Sequence, residues 1–223
     1  MGHVMFMQKG DVHTEPVTLP VGTVWRFTSN GSFEAPVDGQ YQIEMHGGGG
    51  GGAYYVWGWQ DEYEETHGAV PGGGGGGSGE IKTVTLTKGD VNAITIGAGG
   101  EAGISYNSSG KDGGATTFGS LSVAGGKGAT IGYLTYDYFR NSTGGAASGS
   151  IATAGGTGVG AWDKATYTGG VGGLGNSANA AQPYGNGGTG TSAKYNYASS
   201  VNVSVVAQPG QPGAVIITYL GKG

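Results

Sequence analysis

The sequence predicts an all-β protein: a small β-sandwich-like end or ends formed by N- and C-terminal strands, plus a bundle of packed polyglycine II helices with variable loops. Two observations carry this prediction. The chain has 53 glycines in 223 residues, with uninterrupted runs at 47–52 and 72–77, whereas glycine averages about 7% of protein sequences. Segments of alternating polar and apolar residues flank these runs, which is the pattern of half-buried strands.

The strands are predicted in chain order from this alternation and from β-branched residues bounded by Gly, Pro or Asp. Asn30-Gly31 and Asp38-Gly39 supply turn signals around the first two. No segment has the apolar stripe of a helix. The predicted strands are 23–28, 40–45, 80–86, 91–96, 120–123, 201–206 and 214–220. The terminal strands are expected to meet in one small sandwich, with the glycine-rich material arising between them.

Either glycine run alone is typical of a flexible linker. The whole chain differs from a disordered one, because aromatic residues reach 10% and the net charge is only −5, whereas disordered chains tend to be poor in aromatics and strongly charged. The composition therefore favours an ordered glycine-rich fold.

Few ordered folds consist largely of glycine. Collagen requires Gly at every third position with abundant Pro, and this chain has 7 Pro and no sustained triplet. The calcium-binding nonapeptide solenoid requires Asp after Gly-Gly-x-Gly, but Val159 follows Gly155-Gly156-Thr157-Gly158. Left-handed polyglycine segments remain. They make no internal hydrogen bonds and must bond to neighbouring segments, which only glycine allows to approach closely.

Several classes of function are disfavoured by composition. The chain has no Cys, and 10 Lys plus Arg against 15 Asp plus Glu, so we expect no disulfide and no nucleic-acid partner. No run of about 18 apolar residues and no secretory leader is present, so we expect no membrane insertion. Residues 1–7 are short and apolar, typical of either a frayed start or a docking peptide. We therefore divide the chain into a possible attachment segment, 1–22, and a glycine-rich domain, 23–223.

The order of motifs resembles a known family. A strand region at 25–36, a short strand, six glycines, a loop, six glycines and a strand pair ending Ile94-Thr95-Ile96-Gly97 resemble the glycine-rich domains of bacteriophage tail fibre and receptor-binding proteins. The segments 114–119 and 212–217 are similar to the same pattern. The resemblance covers nearly the whole chain after about residue 22. In the tip adhesins of T-even-like phages, a polyglycine bundle presents variable loops to the bacterial surface.

The resemblance implies a host-attachment protein of the virion, at a phage tail or fibre tip. Its partners would be a bacterial surface receptor, either a glycan or an outer-membrane protein, and a tail fibre or baseplate protein. No cofactor and no catalytic residue is expected. The whole glycine-rich domain, with strands at about 23–46, 80–96 and 201–220, would then be a receptor-binding domain.

Aromatic residues cluster between the glycine segments, and we predict that they bind the receptor. Tyr and Trp provide large contact areas at low entropic cost, with Ser, Gly and Asn as adaptable neighbours. Any one of them could instead cap a small core, but the clustering favours binding for the set. The predicted receptor-binding residues are Tyr54, Tyr55, Trp57, Trp59, Tyr63, Tyr106, Tyr133, Tyr136, Tyr138, Phe139, Arg140, Trp162, Tyr167, Tyr184, Tyr195 and Tyr197.

Three alternatives stay open. The acidic stretch 61–67 offers carboxylates and His67 for acid–base chemistry or metal binding, although a solvated charge run is the simpler interpretation, and we assign no metal site. A polyglycine bundle could also bind ice, for which bulky charged loops would be unsuitable. A depolymerase that cleaves surface polysaccharide is the third.

Overall fold

The computed structural model describes residues 18–54, 57–60, 66–69, 73–105, 108–131, 145–149, 151–154, 166–167, 170–175, 184–190, 192–196 and 200–223. This part of the chain is all-β, as predicted. Within it, no helix is long and apolar enough to cross a membrane. The strands are β1 Val24–Phe27, β2 Gly31–Glu34, β3 Gly39–His46, β4 Trp57–Gln60, β5 Thr66–Ala69, β6 Gly79–Leu86, β7 Val91–Thr95, β8 Thr116–Phe118, β9 Leu121–Val123, β10 Thr166–Tyr167, β11 Ser192–Asn196, β12 Ser200–Val205 and β13 Ala214–Gly221.

Each of the seven predicted strands corresponds to an observed one, to within one residue at either end. They are β1, β3, β6, β7, β9, β12 and β13. The sequence prediction missed the short strands, such as β2 and β8. Strands of three or four residues offer few alternating positions, and of the four such strands in the two four-stranded sheets the pattern found only β1 and β9.

Two antiparallel four-stranded sheets form the sandwich, in the orders β1-β13-β3-β6 and β2-β7-β8-β9. Side chains from both sheets share one hydrophobic core, in which Tyr41, Ile43, Met45, Val215 and Ile217 are fully buried. Pairing of β1 with β13 joins the two ends of the described chain. The predicted meeting of the terminal strands is confirmed.

Glycine-rich segments continue directly from the sandwich strands. The segment that contains the first six-glycine run follows β3, and the segment that contains the second run leads into β6. We number the segments in chain order: segment 1 is 47–53, segment 2 is 73–78, segment 3 is 97–103, segment 4 is 108–114, segment 5 is 124–131, segment 6 is 145–148, segment 7 is 151–154, segment 8 is 170–175, segment 9 is 184–190 and segment 10 is 206–213.

Segment 1 bonds to six neighbours with a period of three residues. The amides of Gly47 and Gly50 donate to segment 2, those of Gly48 and Gly51 to segment 4, and those of Gly49 and Gly52 to segment 10, at 2.8–3.0 Å. Its carbonyls accept from segments 3, 5 and 9. Because no bond is internal, the segment depends entirely on its neighbours.

Segment 2 repeats this arrangement. Gly74 and Gly77 donate to segment 9, Gly75 and Ser78 to segment 5, and Gly76 to segment 7, while its carbonyls accept from segments 1, 6 and 8. Two central segments, each with six neighbours, share segments 5 and 9. A three-residue period is that of a polyglycine II helix. The helix itself stays a prediction, with which this bonding is consistent.

These bonds arrange the described segments in three layers. The middle layer runs 3-1-2-7, and the outer layers run 4-5-6 and 10-9-8, with hydrogen bonds between successive members of each layer. Odd-numbered segments run away from the sandwich and even-numbered ones return. The two uninterrupted glycine runs therefore lie in the interior, where every direction is occupied by another backbone.

Segments at the periphery of the bundle, including segment 3 at the edge of the middle layer, show a three-residue burial pattern. In segment 3, Gly97, Gly100 and Gly103 are buried while Ala98 and Glu101 are exposed. Segment 10 follows the same rule, with buried Ala207, Gly210 and Gly213 and exposed Gln and Pro between them. Because every third residue faces the bundle, only that position must be small, and the others are free to carry side chains.

Packing in the interior excludes even one methyl group. A Cβ atom on Gly48, Gly50 or Gly51 would lie 2.0–2.1 Å from a carbonyl oxygen of a neighbouring segment, and one on Gly74 would lie 2.0 Å from the carbonyl oxygen of Gly50. Real Cβ atoms essentially never approach a neighbouring atom this closely, so the segments would have to separate.

We therefore expect Gly74→Val to destabilise the protein by at least about 3 kcal/mol, because the new side chain must displace peptide groups rather than a flexible side chain. Thermal unfolding followed by circular dichroism measures the effect. Gly31→Val is the matched control, since a Cβ there meets no atom within 4 Å. A Gly74→Val protein with an unchanged melting temperature would contradict the packed bundle and favour the linker interpretation.

Candidate functional site: the loop-bearing end of the bundle

The bundle has two different ends. Because odd segments run outward and even segments return, the connections 1→2, 3→4, 5→6, 7→8 and 9→10 all begin and end on the side away from the sandwich. We call this side the loop end. The connections are 54–72, 104–107, 132–144, 155–169 and 191–205.

Fifteen of the sixteen predicted receptor-binding residues belong to these five connections. Four of them, Trp57, Trp59, Tyr167 and Tyr195, lie in strands described by their backbone, and Tyr54 is described with its side chain. Outside the described residues lie Tyr55, Tyr63, Tyr106, Tyr133, Tyr136, Tyr138, Phe139, Arg140, Trp162 and Tyr197.

Tyr184 is the exception, because it begins segment 9 at the sandwich end. Its ring centroid lies 6.3 Å from that of the buried His46. The length of the bundle therefore separates Tyr184 from Tyr54 and from the ends of the five connections, and the surroundings of Tyr184 are those of a packing residue.

The described parts of the connections include regular β-structure. Strands β4 and β5 form an antiparallel pair in which Trp57 is opposite Ala69 and Trp59 is opposite His67. A three-stranded sheet, β10-β11-β12, links the fourth and fifth connections. The sequence prediction recognised only β12. The other strands are very short (β10), interrupted by Gly (β4 and β5) or without β-branched residues (β11). Strand pairing restricts movement within the first connection, and movement of the fourth and fifth connections relative to each other.

The start of the first connection is joined to the start of segment 4 at the rim of the bundle. The amide of Tyr54 donates to the carbonyl of Ser108 at 2.8 Å, and the amide of Ser108 donates back at 3.0 Å. Ser108 Oγ also donates to the carbonyl of Ser105 at 2.7 Å. Ile104 beside this bridge is 89% exposed. The sequence prediction missed Ile104 and Ser108, although the spacing of Gly97, Gly100 and Gly103 places 104 at an outward position.

Charged residues tie the sides of the bundle together. Lys111 of segment 4 pairs with Glu101 of segment 3, and Lys127 of segment 5 pairs with Asp112 of segment 4 at 2.6 Å. The hydrogen bond from Lys111 lowers the pKa of Glu101. The hydrogen bond from Lys127, followed by the one from the Gly128 amide, lowers the pKa of Asp112. This flank is a charged, paired surface.

No cluster with the composition of a metal or catalytic site occurs among the described residues: none brings three His, Cys, Asp or Glu side chains together. Within the acidic stretch 61–67, residues 61–65 lie outside the described residues. Thr66 and His67 lie in β5. His46, by contrast, is buried at the sandwich end.

Comparison with known proteins adds no identification. No protein-family model matches the chain, and no curated protein matches it either. Its function must therefore be inferred from the arrangement of its own residues.

The Asp112–Lys127 pair predicts a pH dependence. Because the folded pKa of Asp112 is lowered, its contribution is present above the ordinary aspartate pKa of about 3.9 and is lost as the pH falls through the folded value. Both side chains are more than half exposed, so we expect Asp112→Asn to lower the stability at pH 7 by a few tenths of a kcal/mol, up to about 1 kcal/mol. Melting temperatures at pH 7 and pH 3 measure this. Asp90→Asn, at a turn of the sandwich, controls for general loss of negative charge. An Asp112→Asn protein as stable as wild type at pH 7 would argue against a stabilising Asp112–Lys127 ion pair.

Proposed function

We propose that this protein is an adhesin of a phage tail or fibre tip, which recognises a bacterial surface receptor through the aromatic-rich connections at the loop end. One observation carries the proposal: all five connections between outgoing and returning segments emerge at the same end of a bundle whose interior accepts no side chain. Such an arrangement separates a constant scaffold from connections that are free to vary, and binding residues commonly lie in such loops.

The scaffold is, in this proposal, a bundle of polyglycine II helices. The three-residue periods of hydrogen bonding and of burial both support it. A helix of this type rises about 3.1 Å per residue. A six-residue run would thus hold the loop end about 19 Å from the sandwich.

The composition of the loop end suits recognition. The sequences of the five connections combine Tyr and Trp with Ser, Asn and Gly, and aromatic residues dominate binding hot spots. Aromatic rings stack on sugars and also dock between side chains of a protein. Both receptor classes, glycans and outer-membrane proteins, are therefore compatible with the proposal.

The opposite end suits attachment to a tail fibre or baseplate protein. The amide of Gly22 donates to the carbonyl of Tyr219, and Gly223 lies beside Gln40, where an added Cβ atom would be 3.0 Å from Nε2. Both contacts are at the pole of the sandwich away from the bundle. The possible attachment segment, 1–22, would thus join a partner there without obstructing the loop end.

Two other functions predict different measurements. An ice-binding protein would show thermal hysteresis, but the flank formed by segments 3, 4 and 5 displays Glu101, Lys111, Asp112 and Lys127, which an ice-binding face would lack. A depolymerase would release oligosaccharides from purified surface polysaccharide. Neither activity is expected of an adhesin.

Changing Trp57 and Trp59 together to Ala should reduce adsorption to susceptible bacteria by roughly thirtyfold or more, because truncation of a buried interface aromatic costs about 2 kcal/mol or more. Binding of fluorescently labelled protein to cells measures adsorption. Folding should be nearly unchanged, since the residues lie in a connection away from the core.

Val91→Ala is the matched control, because Val91 is 65% exposed on the sandwich and truncation there should leave adsorption unchanged. Circular dichroism verifies that each variant is folded. A folded Trp57→Ala/Trp59→Ala protein that adsorbs like wild type, together with an equally silent Tyr136→Ala/Tyr138→Ala protein, would remove the basis for placing recognition at the loop end.

A further inference from the structure

A buried histidine lies at the junction of sandwich and bundle. His46 is the last residue of β3 and immediately precedes segment 1; its side chain is fully buried. The buried polar or charged side chains of the described residues are His46, Ser78 and Thr116. Of these three, only His46 can carry a positive charge.

Both ring nitrogens of His46 face oxygen atoms. Nε2 lies 2.7 Å from Oε1 of Glu44, and Nδ1 lies 3.1 Å from the carbonyl oxygen of Gly175. A carbonyl and a carboxylate only accept hydrogen bonds. A neutral imidazole carries one N–H, so it could satisfy one of these partners and would direct a lone pair at the other. Both bonds form together only when both nitrogens are protonated.

We propose that His46 is held as an imidazolium ion and acts as a proton-dependent latch between the sandwich and segments 8 and 9. Burial of an unpaired charge is very unfavourable. Here the Glu44 carboxylate supplies the countercharge at hydrogen-bond distance, and its side chain remains 21% exposed. Water can thus reach the Glu44 side of the pair, whereas the buried His46 ring has a hydrogen-bond partner at each nitrogen.

The latch holds both ends of the connection between segments 8 and 9. Gly175 ends segment 8 and accepts from His46, while Tyr184 begins segment 9 and places its ring beside the imidazole. Gly175 also donates to Oδ1 of Asn186 at 2.8 Å. Segments 8 and 9 begin or end the fourth and fifth connections at the loop end. Loss of the latch would therefore loosen the support of those two connections.

Few of the described residues around His46 are titratable or charged. On β3 it faces Glu44, and on segment 9 it faces Tyr184. Segment 8 contributes only the Gly175 carbonyl. The cross-strand neighbours of His46 are Ala214 of β13 and Gly79 of β6. Arg26 of β1 is paired with Ile216 of β13, and Ile216 is paired with Glu44 on its other side. Arg26 is therefore two strands away from Glu44. Among the described residues, Glu44 is thus the charged group beside the His46 ring.

The sign of the pH effect follows from proton binding. A folded state that holds a proton which the unfolded chain releases loses stability as the pH rises. The stabilisation by the latch is accordingly present at acid pH and lost at alkaline pH. This is opposite to the effect of Asp112, whose contribution is lost in acid.

Thermal unfolding at pH 5.5 and pH 8.5 tests the latch. Between pH 5.5 and pH 8.5, we expect the melting temperature of wild type to fall by roughly 5 °C more than that of His46→Gln. Gln cannot change its charge, whereas wild type loses hydrogen bonds to a charged group, which are stronger than those between neutral groups. Glu44→Gln should reduce the pH dependence in the same way. His67→Gln, which changes a histidine of β5, is the matched control and should retain the wild-type pH dependence.

Nitrogen NMR of the wild-type ring makes the test independent of whether the variants fold. The latch predicts that both ring nitrogens of His46 are protonated at pH 5.5. It also predicts that one of these protons is lost as the pH rises, and that amide exchange in segments 8 and 9 becomes faster at the same time. A single protonated nitrogen at pH 5.5, or a His46→Gln protein with the same pH dependence as wild type, would overturn it. Neither result depends on receptor binding.

Discussion

Hydrogen bonds between backbones that carry no side chains are the interaction on which the rest of this structure depends. In segments 1 and 2, the peptide groups of successive residues bond to different neighbouring segments, and residues three apart bond to the same segment. A segment with such a period is satisfied only when other segments surround it. The bundle therefore has an interior of peptide groups instead of an apolar core, and each peptide group that loses its partner there costs the free energy of an unmade hydrogen bond.

A three-residue period leaves the axial register of the segments underdetermined, since sliding one segment by three residues would restore the same backbone bonds. Side chains and strands remove this ambiguity. Segments 1, 3 and 5 continue from β3, β7 and β9, so the register of the sandwich is carried into the bundle. Ion pairs such as Asp112–Lys127 fix neighbouring outer segments further. The hydrophobic sandwich thus determines the alignment of segments that could not align themselves.

Physical separation of scaffold and connections explains how such a chain could serve recognition. Substitutions in the connections do not enter the hydrogen-bonded interior, whereas a methyl group at Gly50 or Gly74 would collide with a carbonyl. The proposed adhesin therefore tolerates variation where it contacts a receptor and excludes it where it is packed. The proposed His46 latch lies at the opposite end, where the bundle meets the sandwich, and would act on the connections only through segments 8 and 9.

The sequence by itself determined the all-β class, the strands long enough to alternate, and the need of runs 47–52 and 72–77 for neighbouring backbones, because these follow from local patterns and from the lack of side chains. It also placed the aromatic residues between glycine segments. Only the tertiary structure decided which segments surround which, the three layers, and the position of Tyr184 at the sandwich end. Glycine segments are chemically alike and bond to partners distant in the chain, so no local signal specifies their order.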